Sequence, residues 1–336
     1  MRRYENLACS STLSSLPKGR QTGFVLGALT LCVAGLFALP AGCRHREQGK
    51  PRVALIMKSL ANEFFKTMEE GAVAHHKGHS DEYDLVVVGI KNEEDVAKQI
   101  DIVELMTAQG VDAIVIAPAD SKALVPVCKR AMDAGIIVVN IDNKFDAGVL
   151  AERGVKIPFV GPDNRKGARL AAEHLAKRLK AGDKVAVLEG VPNAFNGIQR
   201  KLGFEDAMKA GGMNIVSSQS AYWEMAKAVP IVSALVTEYA DLKAVLCAND
   251  SMALGAVSAL NAAGKADQIL VIGFDNILAV QELLKKGKIL CTVDQHADKL
   301  ALYGIEYALE MLKGKGTPAD KETPVDLIAN VRLTTN

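Results

Sequence analysis

The chain has 336 residues, of which 49% are apolar, 24% charged and only 5% aromatic, with a formal net charge of +1. At about 150 residues per domain this is enough for about two domains with real cores. Near-neutral charge excludes a protein built to offset nucleic-acid phosphates, and the apolar content excludes intrinsic disorder. Scarce aromatics beside abundant Val, Ile, Leu and Ala predict strands buried on both faces, as in α/β proteins.

The first 42 residues follow a logic of their own. Arg2, Arg3, Lys18 and Arg20 precede an uncharged run, 24–42, that ends in Leu39-Pro40-Ala41-Gly42-Cys43. A basic start, an apolar stretch and small residues before a cut form an export signal. Small residues directly before a cysteine resemble a bacterial lipoprotein box, with Cys43 as the lipidated first residue, although Pro40 stands where Leu is usual. The alternative is an uncleaved anchor, since about 18 apolar residues can span a bilayer. Either way the remaining chain is expected to work outside the cytoplasm beside a membrane, tethered through the polar stretch 44–50. Without residues 1–42 it carries 36 basic and 38 acidic residues, a formal charge of −2. With Cys43 reserved for lipid, Cys128, Cys247 and Cys291 remain, an odd number that completes no disulfide framework. Cys247 and Cys291 sit in apolar runs and read as core residues. No Cys-x-x-Cys pair supports a zinc or redox site.

From residue 52 onward, short apolar runs alternate with longer amphipathic stretches. The runs are 52–57, 84–88, 112–117, 136–141, 156–160, 184–188, 214–218, 243–248, 269–274 and 289–293. Short Val- and Ile-rich runs joined by helix-length crossovers predict a βαβ series and parallel, doubly wound sheets. Ser121, Asn164, Asp250 or Ser251, and Asn276 are the expected N-caps of helices over 122–134, 165–179, 252–263 and 277–286. Gly110, Gly135, Gly182, Gly264 and Gly287 read as helix stops. Ten strands are many for one open sheet, so two lobes of five or six strands are expected.

In parallel α/β sheets, ligands bind beyond the carboxyl ends of the strands. Past those ends stand Lys58, Asn62, Phe64 and Phe65, then Asp142-Asn143-Lys144, Asn249-Asp250, Asp275-Asn276 and Asp294-Gln295. Any one of these reads equally as a cap or turn former. As a set, with Arg200 and Trp223, they supply acceptors, donors, cations and flat apolar faces. That mixture suits a sugar, whose hydroxyls each donate once and accept twice while its C–H faces pack on aromatic rings.

Several segments resemble the ribose- and allose-type periplasmic sugar-binding proteins that feed ABC transporters. They are Val53-Ala54-Leu55-Ile56-Met57-Lys58-Ser59-Leu60-Ala61-Asn62-Glu63-Phe64-Phe65, Ala117-Pro118-Ala119-Asp120-Ser121, Pro162-Asp163-Asn164, Cys247-Ala248-Asn249-Asp250-Ser251-Met252-Ala253-Leu254-Gly255 and Val271-Ile272-Gly273-Phe274-Asp275. The resemblance implies two α/β lobes joined by a three-stranded hinge, with residues 51–159 and 297–323 in the N-terminal lobe and 160–296 and 324–336 in the C-terminal one. It implies a monomer that closes over one monosaccharide and delivers it to a membrane permease, with no cofactor. By position it assigns ligand contacts to Asn62, Phe64, Phe65, Asp142, Arg200, Trp223, Asn249, Asp275 and Gln295. Where ribose-type members carry Asp-Arg, this chain has Asp142-Asn143. Lys58, which allose-like members share, is the expected replacement cation, and it tilts the expected ligand from a pentose toward a hexose.

Other classes have less support. A sensor presenting the bound sugar to a membrane receptor remains an alternative use of the same fold. Nucleotide-binding and hydrolase fingerprints are absent. A repressor of similar core would carry an N-terminal helix-turn-helix where this chain has its leader. His75, His76 and His79 read as the solvated, frayed end of a helix rather than metal ligands, and His174 and His296 as surface or cleft-edge residues.

Overall fold

The computed structural model describes residues 49–315 and 318–329. The leader, Cys43, most of the tether and the last seven residues lie outside the described residues. The first half runs β1 (Arg52–Ser59), α1 (Glu63–Gly78), β2 (Asp84–Ile90), α2 (Val96–Ala108), β3 (Ala113–Ile116), α3 (Val125–Asp133), β4 (Ile137–Ile141), α4 (Ala147–Glu152) and β5 (Phe159–Pro162). The second runs α5 (Asn164–Ala176), β6 (Lys184–Glu189), α6 (Phe195–Ala210), β7 (Asn214–Ser220), α7 (Met225–Glu238), β8 (Leu242–Cys247), α8 (Asp250–Ala262), β9 (Leu270–Ile272), α9 (Leu278–Lys285) and β10 (Cys291–Asp294). The chain then returns through α10 (Ala297–Leu312), β11 (Lys321–Thr323) and β12 (Asp326–Ala329).

Two six-stranded sheets result, ordered β11-β5-β4-β3-β1-β2 and β12-β10-β9-β8-β6-β7. All pairings are parallel except β10 with β12. The chain passes between the sheets three times, after β5, after β10 and between β11 and β12, so three segments join two doubly wound lobes. β5, which spans the expected 159/160 boundary, pairs within the first sheet.

Central β1 is buried along nearly its whole length, whereas the edge strands β2 and β7 are only half-buried. Alternate β1 residues feed opposite faces, as a two-residue period requires. Ala54 and Ile56 join the cluster under α2 and α3, and Val53, Leu55 and Met57 the cluster that includes α1 and α10 residues. Cys247 and Cys291 are buried there too, as is Cys128 in the other cluster.

The five helix-stop glycines all adopt positive φ. The N-caps differ from expectation. Asp163 and Asn249 cap α5 and α8, one residue ahead of the expected positions, while α3 and α9 have no side-chain cap. In these Asp/Asn pairs either residue can cap, and the tertiary partner of the other decides. Asn164 accepts from Arg200, and Asn276 donates to Asp294. Ser121 bonds Asn143 and Phe195 instead of capping. Strand β11, Lys321-Glu322-Thr323, carries no apolar run of its own and pairs with β5, while β12, with Leu327-Ile328-Ala329, pairs with β10 and was not among the expected strands. The α1 terminus is not frayed. His75 and His76 both bond Tyr83, and the rings of His75 and His79 stack at 4.2 Å. Among the described residues no group of three His, Cys, Asp or Glu side chains is placed to hold a metal ion, and no helix is long and apolar enough to cross a membrane.

Candidate functional site

The end of β1 delivers Lys58 into the interlobe space with 3% exposure. Its Nζ lies 3.1 Å from Asp142 Oδ2 and 3.6 Å from Glu93 Oε2. Asp142 follows β4 at φ 59, and Glu93 lies in the loop after β2. Asn62 caps α1 by accepting from Phe64 N, and its amide donates to Glu93 Oε1 at 3.2 Å. The cap starts the helix so that Phe64 and Phe65 fall in its first turn, buried and edge-to-face at 5.1 Å.

The second lobe answers with Arg200 from α6. Its guanidinium donates to Ala248 O at 2.9 Å, Asp275 Oδ1 at 3.2 Å and Asn164 Oδ1 at 2.8 Å, and lies 3.7 Å from the Phe274 ring centre. Gln295 donates to Asp275 Oδ1 at 2.7 Å, and Asn249 donates to Trp223 O. The indole of Trp223 rests on Gly190, where a methyl group would come within 2.1 Å of the ring.

Backbone strain concentrates here. Among the described residues, the non-glycine residues with positive φ are Asp142, Tyr222, Trp223, Asp275, Asn276 and His296, each lining the cavity or next to a residue that does. Such conformations cost about 1–3 kcal/mol apiece and persist where the surroundings over-determine them. The consequence is that three strand ends turn sharply enough to aim Asp142, Trp223 and Asp275 inward.

Charges in the site are compensated within its own walls. Burial disfavours the Lys58 ammonium, but Asp142 and Glu93 outweigh it and its pKa is raised overall. Burial pushes Glu93 up against the pull of Lys58, and pushes Asp275 up to about 8 against the pull of Arg200. Burial likewise lowers Arg200 against Asp275 and Asp142. Each cation stands beside at least one carboxyl, and a neutral polar ligand finds donors and acceptors on every side.

These side chains line one common cavity between the lobes. Trp223 Nε1 and Gln295 Oε1 face this space buried and without a hydrogen-bond partner among the described residues, and Glu93 Oε2 has Lys58 at 3.6 Å. Buried polar atoms are normally satisfied, so these mark where ligand groups belong. The lobes meet around the space. Glu63 accepts from Leu278 N at 2.8 Å, Ser121 from Phe195 N at 3.0 Å and Asn143 from Asn196 N at 3.2 Å, while Asp120 accepts from Asn193. Lys227 pairs with Glu94 across the cleft at 2.7 Å.

The fold brings Lys58, Asn62, Phe64, Phe65, Asp142, Arg200, Trp223, Asn249, Asp275 and Gln295 to one cavity. Asn143 is not among its lining residues. Fully buried, it donates to Pro118 O and accepts from Ser121 and Asn196 N, so its side chain serves the lobe contact. Lys58 is buried rather than solvated because two carboxylates receive it. Glu93 and Asn196 line the cavity without having stood out in the sequence. Glu93 does follow a strand, but within Lys91-Asn92-Glu93-Glu94-Asp95 it reads as part of a solvated loop.

Residues 53–316 match the periplasmic binding protein domain. The chain is 56% identical to the D-ribose/D-allose-binding protein of Pseudomonas aeruginosa, over 90% of this chain and 97% of that one. It is 32% identical to the ribose import binding protein of Escherichia coli, over 86% of this chain and 94% of that one. Among solved structures, an ABC transporter periplasmic solute-binding protein of Actinobacillus succinogenes with bound D-allose superimposes with a TM-score of 0.80 at 36% identity, over 84% of this chain and 98% of that one.

Proposed function

The chain belongs to the periplasmic binding protein domain family, and from that premise we propose that it captures one neutral monosaccharide, D-allose or D-ribose, between its lobes. The observation that supports this reading is a polar cavity in which each cation stands beside a carboxyl while Trp223 Nε1 and Gln295 Oε1 are buried without a hydrogen-bond partner among the described residues. Such a site rewards hydroxyls. Phe64, Phe65 and Trp223 supply the apolar walls. Lys58, Asn62, Glu93, Asp142, Asn196, Arg200, Asn249, Asp275 and Gln295 supply the hydrogen bonds. A hydroxyl of the wrong configuration leaves a buried group unpaired at a cost of about 1–3 kcal/mol, which is the basis of selectivity.

In this reading the chain performs reversible capture and no chemistry. The moving bodies are the lobe of the first sheet, which keeps β5 whole, and the lobe of the second, and sugar hydrogen-bonded to both shifts the hinge equilibrium toward the closed form. A monomer exported by the leader and held at the membrane through lipidated Cys43 would present that form to the permease of an ABC importer. Mass spectrometry of small molecules released from the purified protein, followed by titration calorimetry against a monosaccharide panel, tests the ligand. Binding no tighter than millimolar for every sugar would refute it. Radiolabelled palmitate incorporated into the wild type but not into Cys43→Ser tests the anchor.

A further inference from the structure

Asp275 and Asn276 are consecutive residues at φ 121 and 57, and Asp275 is the junction of the second-lobe wall, receiving both Arg200 and Gln295. Its own amide donates to Val293 O at 2.7 Å. The rest of the turn is anchored elsewhere, by a side chain that is not among the cavity-lining residues. Asp250 is fully buried at the start of α8. Its amide donates to Phe274 O at 2.7 Å, its Oδ2 accepts from Ile277 N at 3.0 Å, and its Oδ1 accepts from Thr292 Oγ1 at 2.7 Å. Thr292 Oγ1 in turn accepts from Asn276 N at 3.3 Å. Residues 274, 276 and 277 are therefore all held by Asp250, 274 through its backbone amide, 277 directly by its carboxylate and 276 through the Thr292 hydroxyl.

The adjoining strand is cut to admit it. A methyl group on Gly273 would come within 2.0 Å of Asp250 Oδ1, so only glycine leaves room for the carboxylate at that point. Both oxygens face donors. An amide of the same shape accepts at one position only, so it gives up either the Ile277 bond or the direction of the Thr292 relay. We propose that Asp250 is the positioning residue of the sugar site, fixing the left-handed turn that aims Asp275 into the cleft without touching ligand itself. The proposal rests on the monosaccharide-binding reading for its consequence in affinity, but its structural content stands apart from it.

The test uses the whole exported protein. Asp250→Asn is expected to weaken D-allose or D-ribose binding by about 10- to 100-fold, one to two tenfold steps for one buried group left without its partner, while the empty protein stays folded. Thr292→Val, which breaks only the relay to Asn276, should weaken it in the same direction by a smaller factor and serves if Asp250→Asn fails to fold. A double-mutant cycle separates positioning from general support. If Asp250 acts through Asp275, the double variant Asp250→Asn/Asp275→Asn binds no more weakly than Asp275→Asn alone, and additive losses would overturn the proposal. A crystal structure of Asp250→Asn, or of Thr292→Val, reads the turn directly. Departure of residues 275 and 276 from positive φ supports the proposal, and an unchanged turn overturns it whether or not any sugar binds. Failure of the wild type to bind a sugar overturns the ligand reading instead.

Discussion

Trp223 is the only tryptophan of the chain, and Gly190 is the surface on which its indole rests. Replacing Gly190 by alanine places a methyl carbon 2.1 Å from the ring carbons. Carbon atoms settle at about 3.5–4.0 Å, so the ring must retreat by about 1.5 Å. Gly197 closes in on another side, with a methyl there only 3.1 Å from the same ring. The indole therefore has little free space except the sugar cavity. Inserting a methyl into a packed site costs about 1–3 kcal/mol. If that strain is borne by the closed, ligand-ready form, affinity falls by about 5- to 150-fold, at 1.4 kcal/mol per tenfold. Calorimetry with D-allose and the fluorescence of the single tryptophan, free and with ligand, provide the assay. Gly190→Ala should bind more weakly with a shifted emission spectrum, Gly197→Ala should do so less, and the smaller ring of Trp223→Phe should relieve part of the Gly190→Ala defect. Wild-type affinity and emission in Gly190→Ala would show that the indole does not wall the site.

Lys58→Met keeps the length of the side chain but strands Asp142 and Glu93 in the interior. Sugar binding should weaken by about 10- to 150-fold for the lost charged hydrogen bond, and thermal stability should fall more at pH 8 than at pH 5, because burial raises the pKa of Glu93 and the loss of Lys58 removes the charge that opposed that rise. Equal loss at both pH values would contradict the pairing. Burial pushes Asp250 up to about 7 and Asp275 up to about 8 from an ordinary value of 3.8. Between pH 4 and those values the folded state binds protons that the unfolded chain has released, so these groups make the empty protein less stable as pH rises through that window. Asp275→Asn should flatten the fall in melting temperature between pH 5 and 8, and an unaltered slope would remove Asp275 as a cause. Lys227→Ala breaks the exposed pair with Glu94 across the cleft, and at about 0.2–1 kcal/mol for such a pair sugar release measured by stopped flow should quicken by about 1.5- to 5-fold at low salt and converge with the wild type at high salt. Release rates that differ equally at both ionic strengths would mean that the pair is not what slows opening.

Much of this was legible in the one-dimensional pattern. Val- and Ile-rich runs at crossover spacing require parallel sheets because only burial on both faces explains strands without alternating polarity. The positions just past those runs already collected Lys58, Asn62, Asp142, Asn249, Asp275 and Gln295, because the carboxyl ends of parallel strands are where the chain must turn and where side chains converge. Arg200 and Trp223 joined that set for their chemistry, and the resemblance assigned them by position.

What the sequence alone could not decide was the partner of each polar side chain. Asn143 looked like a contact beside Asp142, yet left-handed backbone at Asp142 turns the chain between them and leaves Asn143 to bond Pro118, Ser121 and Asn196 inside the lobe contact. Glu93 looked solvated until Lys58 and Asn62, on other elements, received it. β11, Lys321-Glu322-Thr323, has no strand signal and forms because β5 offers it an unpaired edge. Hydrophobic periodicity is a local property written into the order of residues, and it fixed the two sheets. Charge pairing, caps and close approach join residues tens to hundreds of positions apart, so only the folded chain settles which carboxylate meets which cation around the sugar cavity.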